Sequence, residues 1–107
     1  MKKIHLKTKY IDEEAFLQLD KYSNGSTAIS FRSSVGEPLS VATVSLGDIT
    51  PSEGCAFIKN WSENEGVLDC LIDNDMVELT GKEIETGYCK AQEVKLLPKI
   101  FEYFLKK

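Results

Sequence analysis

Arginine is nearly absent from the sequence. Arg32 is the only one in 107 residues, and histidine and tryptophan are also single, at His5 and Trp61. One arginine argues against a bidentate guanidinium reader of phosphate or guanine. The net charge is −4, with 13 basic residues interspersed among 17 acidic ones. That balance disfavours broad contact with a phosphate backbone, which needs clustered Lys and Arg, so no direct nucleic-acid binding is expected. Nucleophilic catalysis needs an activated nucleophile beside a base. The one histidine falls on the lysine side of the first strand-like run. No G-x-S-x-G elbow, P-loop or G-x-G-x-x-G is present, so an enzyme is not expected.

Long apolar runs are missing too. Nothing approaches the ~18 consecutive apolar residues that a membrane span requires, so no membrane association is expected. The opening "MKKIHLKTKY" is basic but lacks an apolar stretch behind it, which argues against a signal peptide. Cysteine is sparse and odd in number: Cys55, Cys70 and Cys89. Free thiols in a reducing, cytoplasmic setting are the expectation. With His5 these cysteines could supply four zinc ligands. Their separations of 14 and 18 residues, and the lack of any C-x-x-C pair, do not support such a site, so no metal or cofactor is expected.

What the chain does have is a balanced globular composition, 42% hydrophobic and 28% charged, suited to one ordered domain over residues 1–107. Ile4, Leu6 and Thr8 alternate with His5, Lys7 and Lys9, the period of a strand. "AFLQLDKY" and "TAISFRSS" flank Asn24-Gly25, which predicts a hairpin with a type I′ turn. "VGEP" precedes another strand, "LSVATVSL". Residues 14–46 therefore read as an antiparallel meander. "GDITPSEG" is a loop, and "CAFIKN" a short strand. Val67, Leu68, Leu71 and Ile72 then mark one face of a helix. "MVELTG" and "EVKLL" return to strand patterns, with turns at Gly81 and Gly87. Pro98 fits the first position of a second helix. Its apolar face would be Ile100, Phe101, Phe104 and Leu105, and Lys106 and Lys107 would sit at its negative end. The expected fold is α+β, an antiparallel sheet with two short helices packed against it.

The segment "NWSENEG", Asn60–Gly66, reads as a capping box. The Ser62 hydroxyl would accept from the Glu65 N–H, and the Glu65 carboxylate from the Ser62 N–H. Gly66, poor in a helix, suggests a close backbone approach, with the Trp61 ring as one neighbour that could require it. Glu65, Asp69 and Asp73 recur every four residues, and Asp75 follows near the helix end. Like charges at this spacing repel, and no lysine occurs between Trp61 and Thr80. A solvated acidic face is the plain reading. A contact surface for a basic protein partner is the functional one, with Trp61, Glu65, Asp69, Asp73 and Asp75 as partner-binding residues. "DND", Asp73–Asp75, resembles the start of a calcium loop but lacks the later glycine and glutamate.

Several motifs also resemble a family of small uncharacterised proteins from conjugative elements and prophages of Gram-positive bacteria. These are "GEP" (Gly36–Pro38), "FIK" (Phe57–Lys59), "SENEG" (Ser62–Gly66) and "ELTG" (Glu78–Gly81), and the resemblance covers about residues 20–97. It brings no catalytic residues with it. It implies a counter-defence setting in the bacterial cytoplasm, because anti-CRISPR proteins are similar in size, charge and lack of catalytic motifs. The function then expected is a non-enzymatic inhibitor. It would bind a CRISPR effector nuclease through an interface including the acidic helix face, and block nucleic-acid loading or activation. The alternative is a mobile-element accessory or regulatory module, with a structural zinc drawn from Cys55, Cys70, Cys89 and His5.

Overall fold

The computed structural model describes residues 2–87 and 89–104. Among these, seven strands form two antiparallel sheets. The first contains β1 (Ile4–Lys7), β2 (Asp12–Lys21), β3 (Thr27–Arg32) and β4 (Pro38–Val41) in that order, so the expected meander begins one strand earlier than residue 14. The second contains β5 (Cys55–Ile58), β6 (Val77–Thr86) and β7 (Cys89–Leu96) in the order β5-β7-β6. Helix α1 (Val67–Asp73) and a 3-10 helix (Pro98–Tyr103) complete the expected α+β arrangement.

The sheets meet where the chain leaves β4. Ala42 N–H donates to Ile29 O at 2.8 Å, still on β3, whereas Val44 N–H donates to Phe57 O at 3.0 Å and Lys59 N–H to Ala42 O at 2.8 Å. Residues 42–44 thus pass the ladder from β3 to β5. This keeps the backbone groups of a buried crossing paired.

Alternation sets the core. Ile4 and Leu6 of β1, Ala15 and Leu17 of β2, and Ile29 and Phe31 of β3 all face inward. They join Ile58, Val94, Val67, Leu71, Met76 and Ile100 in one buried cluster. Val67, Leu68 and Leu71 supply the predicted apolar face of α1, and Ile72 packs at its margin. Each large side chain so buried contributes ~1.5–3 kcal/mol.

Three local expectations need correction. The β2–β3 turn is not type I′. Among the described residues Gly25 has φ 86° and Asn24 has no positive φ. Gly25 N–H donates to Tyr22 O, and Tyr22 N–H to Ser26 O. This is a three-residue loop closed by a left-handed glycine, and the same hydrogen bonds recur between Ser33, Gly36 and Glu37. Gly81 is no turn either. It lies inside β6, where Thr80, Gly81 and Lys82 bulge opposite Glu93 between the pairs Leu79–Val94 and Glu83–Gln92. The last helix is a 3-10 helix with Pro98 at its start, as expected, but its inward residues are Ile100 and Tyr103. Phe101 is 57% exposed, because three residues per turn rotate it away from Ile100. Leu105, Lys106 and Lys107 lie outside the described residues.

Candidate functional site

The capping box does not form. Ser62–Asn64 is a short 3-10 turn with no side-chain cap, and Glu65 N–H donates to the backbone carbonyl of Ser62 at 3.2 Å. The α-helix starts later, at Val67, with Gly66 as its N-cap. The helix-start donors are satisfied from outside the box. Asn60 Oδ1 accepts from Gly66 N–H at 3.2 Å and Leu68 N–H at 2.9 Å. Asn64 is buried, accepting from the Ser40 hydroxyl and donating to Val41 O at the edge of β4. Asn60 therefore takes over the capping expected of the serine and glutamate, while Asn64 ties the turn to β4. Replacing Asn60 by alanine is expected to cost ~1 kcal/mol, whereas Ser62→Ala should change stability by a few tenths at most. Urea unfolding of the two variants checks this; equal losses would restore the capping box.

Gly66 is required by the backbone of β1, not by the Trp61 ring. Its φ is 107°, and a Cβ there would lie 2.8 Å from Lys7 O and 3.3 Å from Thr8 Cα. Lys9 N–H donates to Glu65 O at 3.1 Å, and the Cys70 thiol to His5 O at 3.3 Å. The start of α1 thus lies along the outer edge of β1, which β2 does not pair.

That placement changes the acidic stripe. Glu65, Asp69, Asp73 and Asp75 are all exposed, but β1 brings lysines beside them. Glu65, Gly66 and Asp69 line a shallow groove with Lys7, Thr8 and Lys9. Asp69 and Asp73 line an adjoining one with His5, Lys7 and Cys70. Asp75 Oδ2 lies 3.9 Å from Lys99 Nζ. The sequence offers no offsetting lysine between Trp61 and Thr80; the fold supplies Lys7, Lys9 and Lys99. Trp61 is half-buried and lines neither groove, so it is not brought to Asp69 and Asp73. The surface is a band of carboxylates bordered by lysines.

The zinc inventory is dispersed. Cys55 is on β5, Cys70 on α1 and Cys89 at the start of β7, and the His5 ring bonds Asp12. Among the described residues, no three His, Cys, Asp or Glu side chains are grouped to hold a metal ion. Burial, with a smaller push from the Asp73 charge, raises the Cys70 thiol despite the Lys7 backbone N–H, which favours its thiolate.

A second cluster went unnoticed in the sequence. Glu93, in the middle strand of its sheet, is only 3% exposed. Its Oε2 accepts from Ser52 N–H at 3.1 Å and from the Ser52 hydroxyl at 3.4 Å, and its Oε1 from the Thr80 hydroxyl at 2.8 Å. Burial raises its carboxyl. The Ser52 N–H, the Thr80 hydroxyl, the Lys82 charge and the Ser52 hydroxyl outweigh burial and leave it below its ordinary value. The available signal was parity: Glu93 shares the face of buried Ala91 on β7.

The family model described as Domain of unknown function (DUF4313) matches residues 16–103, more than three quarters of the chain. The chain belongs to the DUF4313 family. The match agrees with the motif resemblance at the level of an uncharacterised family and runs from β2 through the last 3-10 helix. DUF4313 thus includes Gly66, the carboxylate band and Glu93, while His5, Lys7 and Lys9 of the β1 border precede the matched stretch. No curated protein and no solved structure matches the chain. Among the described residues no helix is long and apolar enough to cross a membrane.

Proposed function

We propose that this DUF4313 chain is a non-enzymatic inhibitor carried by a mobile element or prophage of Gram-positive bacteria. It acts in the host cytoplasm by binding an effector nuclease of the CRISPR type. Its contact surface is the carboxylate band of Glu65, Asp69, Asp73 and Asp75, with Trp61 at the margin. The observation that carries this reading is that Asp69 and Asp73 are exposed on a helix whose opposite side is buried in the core, with exposed Glu65 just before the helix and exposed Asp75 just after it. A rigid element thus presents negative charge outward. Such effectors hold nucleic acid in positively charged channels, so the band complements them and would block loading or activation. The Lys7 and Lys9 border adds a sign change across the surface, which favours one docking register over others.

A cleavage assay with CRISPR effectors, run with and without the protein, tests the activity. Inhibition with co-elution is expected; neither result with any effector would sink the proposal. Reversing Asp69 and Asp73 to lysine should weaken binding about tenfold or more. Unchanged affinity would remove this face from the interface.

A further inference from the structure

The loop between the two sheets is attached in an unusual way. Residues 47–54 bury no large apolar side chain: all are exposed except Pro51, which is half-buried. Apolar burial, the largest favourable contribution to folding, therefore does little to hold this segment down. What fixes it is a short set of polar contacts. At one end Asn24 Nδ2–H donates to Gly47 O at 2.8 Å. At the other, Leu96 N–H donates to Gly54 O and Cys55 N–H to Ser52 O, each at 3.0 Å. Between them, Ser52 donates twice to Glu93. The Glu93 carboxylate is the one charged group in this set, and charge-assisted hydrogen bonds are about twice as strong as neutral ones. Its other oxygen is fixed by Thr80 from the β6 bulge, so the acceptor stays aimed whether or not Ser52 is present.

We propose that residues 47–54 form a strap that opens as a unit while both sheets stay folded, with the Glu93 carboxylate as the latch that sets how often it opens. Opening uncovers Glu93 and frees the foot of the strap at Cys55. By register, Cys55, Phe57 and Glu93 share one face of the second sheet. All three are buried, yet Cys55, Phe57 and Glu93 are not members of the main hydrophobic cluster. This face can therefore be exposed without dismantling the core. The device is independent of the partner proposed above, whose contact surface lies at α1 and not on the second sheet.

Native-state hydrogen exchange tests it on the intact protein. Ser52, Cys55 and Leu96 amides report the strap, and Ala42 and Lys59 amides report the sheet seam. The strap amides should exchange faster than the seam amides and with almost no dependence on low urea, the signature of local opening. Equal rates and equal urea slopes in both groups would overturn the strap. Glu93→Gln, which keeps the shape but removes the charge, should speed exchange of the strap amides about tenfold to a hundredfold while their urea slope stays near zero and below that of the seam amides. Thr80→Val, which frees the latch on one side, should act in the same direction and less. No acceleration of the strap amides, or strap amides that take on the urea slope of the seam, would overturn the role of Glu93.

Discussion

Gly66→Ala is expected to destabilise the fold by about 3 kcal/mol. Two costs combine. An L-residue at φ 107° leaves its favoured backbone region, at ~1–2 kcal/mol. The added methyl would also lie 2.8 Å from the Lys7 carbonyl oxygen. The atoms it meets are backbone and cannot rotate away, so α1 must shift from β1, as in overpacked cores that lose ~1–3 kcal/mol. Gly25→Ala separates the two costs. It has a similar φ of 86° but nothing within 4 Å of its Cβ position, so it should lose only the backbone share. Urea midpoints of both variants decide the matter. Equal losses would mean that α1 yields easily and that its seat on β1 is soft.

Glu93→Ala is the second large effect, at about 2–3 kcal/mol near neutral pH. It leaves the Ser52 N–H and the Thr80 hydroxyl without their buried acceptor, a loss of ~1–3 kcal/mol and more where charge is involved. The pH dependence has a definite sign. The folded carboxyl titrates below its ordinary value of 4.5. Its stabilisation is therefore complete above the unfolded value and is lost as pH falls through the folded one. The groups around it are Lys82 of β6, which favours the charged form, and the Cys55 thiol of β5, itself raised by burial and by the Glu93 charge against the pull of Lys95. Glu63, Glu83 and Glu102 are also lowered, by Lys59, Gln92 and Lys2 in turn. They are solvent-exposed pairs, which contribute little. Wild type should lose stability more steeply than Glu93→Gln as pH falls below about 4.5; parallel curves would refute a stabilising charge.

The strands and α1 were readable because their inward residues keep a period, as Ile4 and Leu6 or Val67, Leu68 and Leu71 do. The errors share a physical origin: they depend on what arrives from elsewhere in the chain. Ser62 and Glu65 fit a cap by local spacing, but Asn60 reaches forward from the end of β5 and supplies the acceptor first. Gly81 reads as a turn because nothing local reveals that β7 places Glu93 opposite it. The acidic residues of the candidate surface were visible in the sequence, whereas their lysine border was not, since Lys7 lies 62 positions before Asp69.

The seat of α1 along β1 also bears on how fast a partner could be captured. The helix covers a strand edge that would otherwise invite pairing with other chains, so it cannot peel away to meet a partner without exposing that edge. Recognition must then use the helix where it lies, with no ordering step to slow the encounter. Under those conditions the association rate follows long-range attraction between the carboxylate band and the opposing charge. It falls as added salt shortens the reach of that attraction to about 10 Å at 0.1 M, while the dissociation rate is set by the contacts themselves.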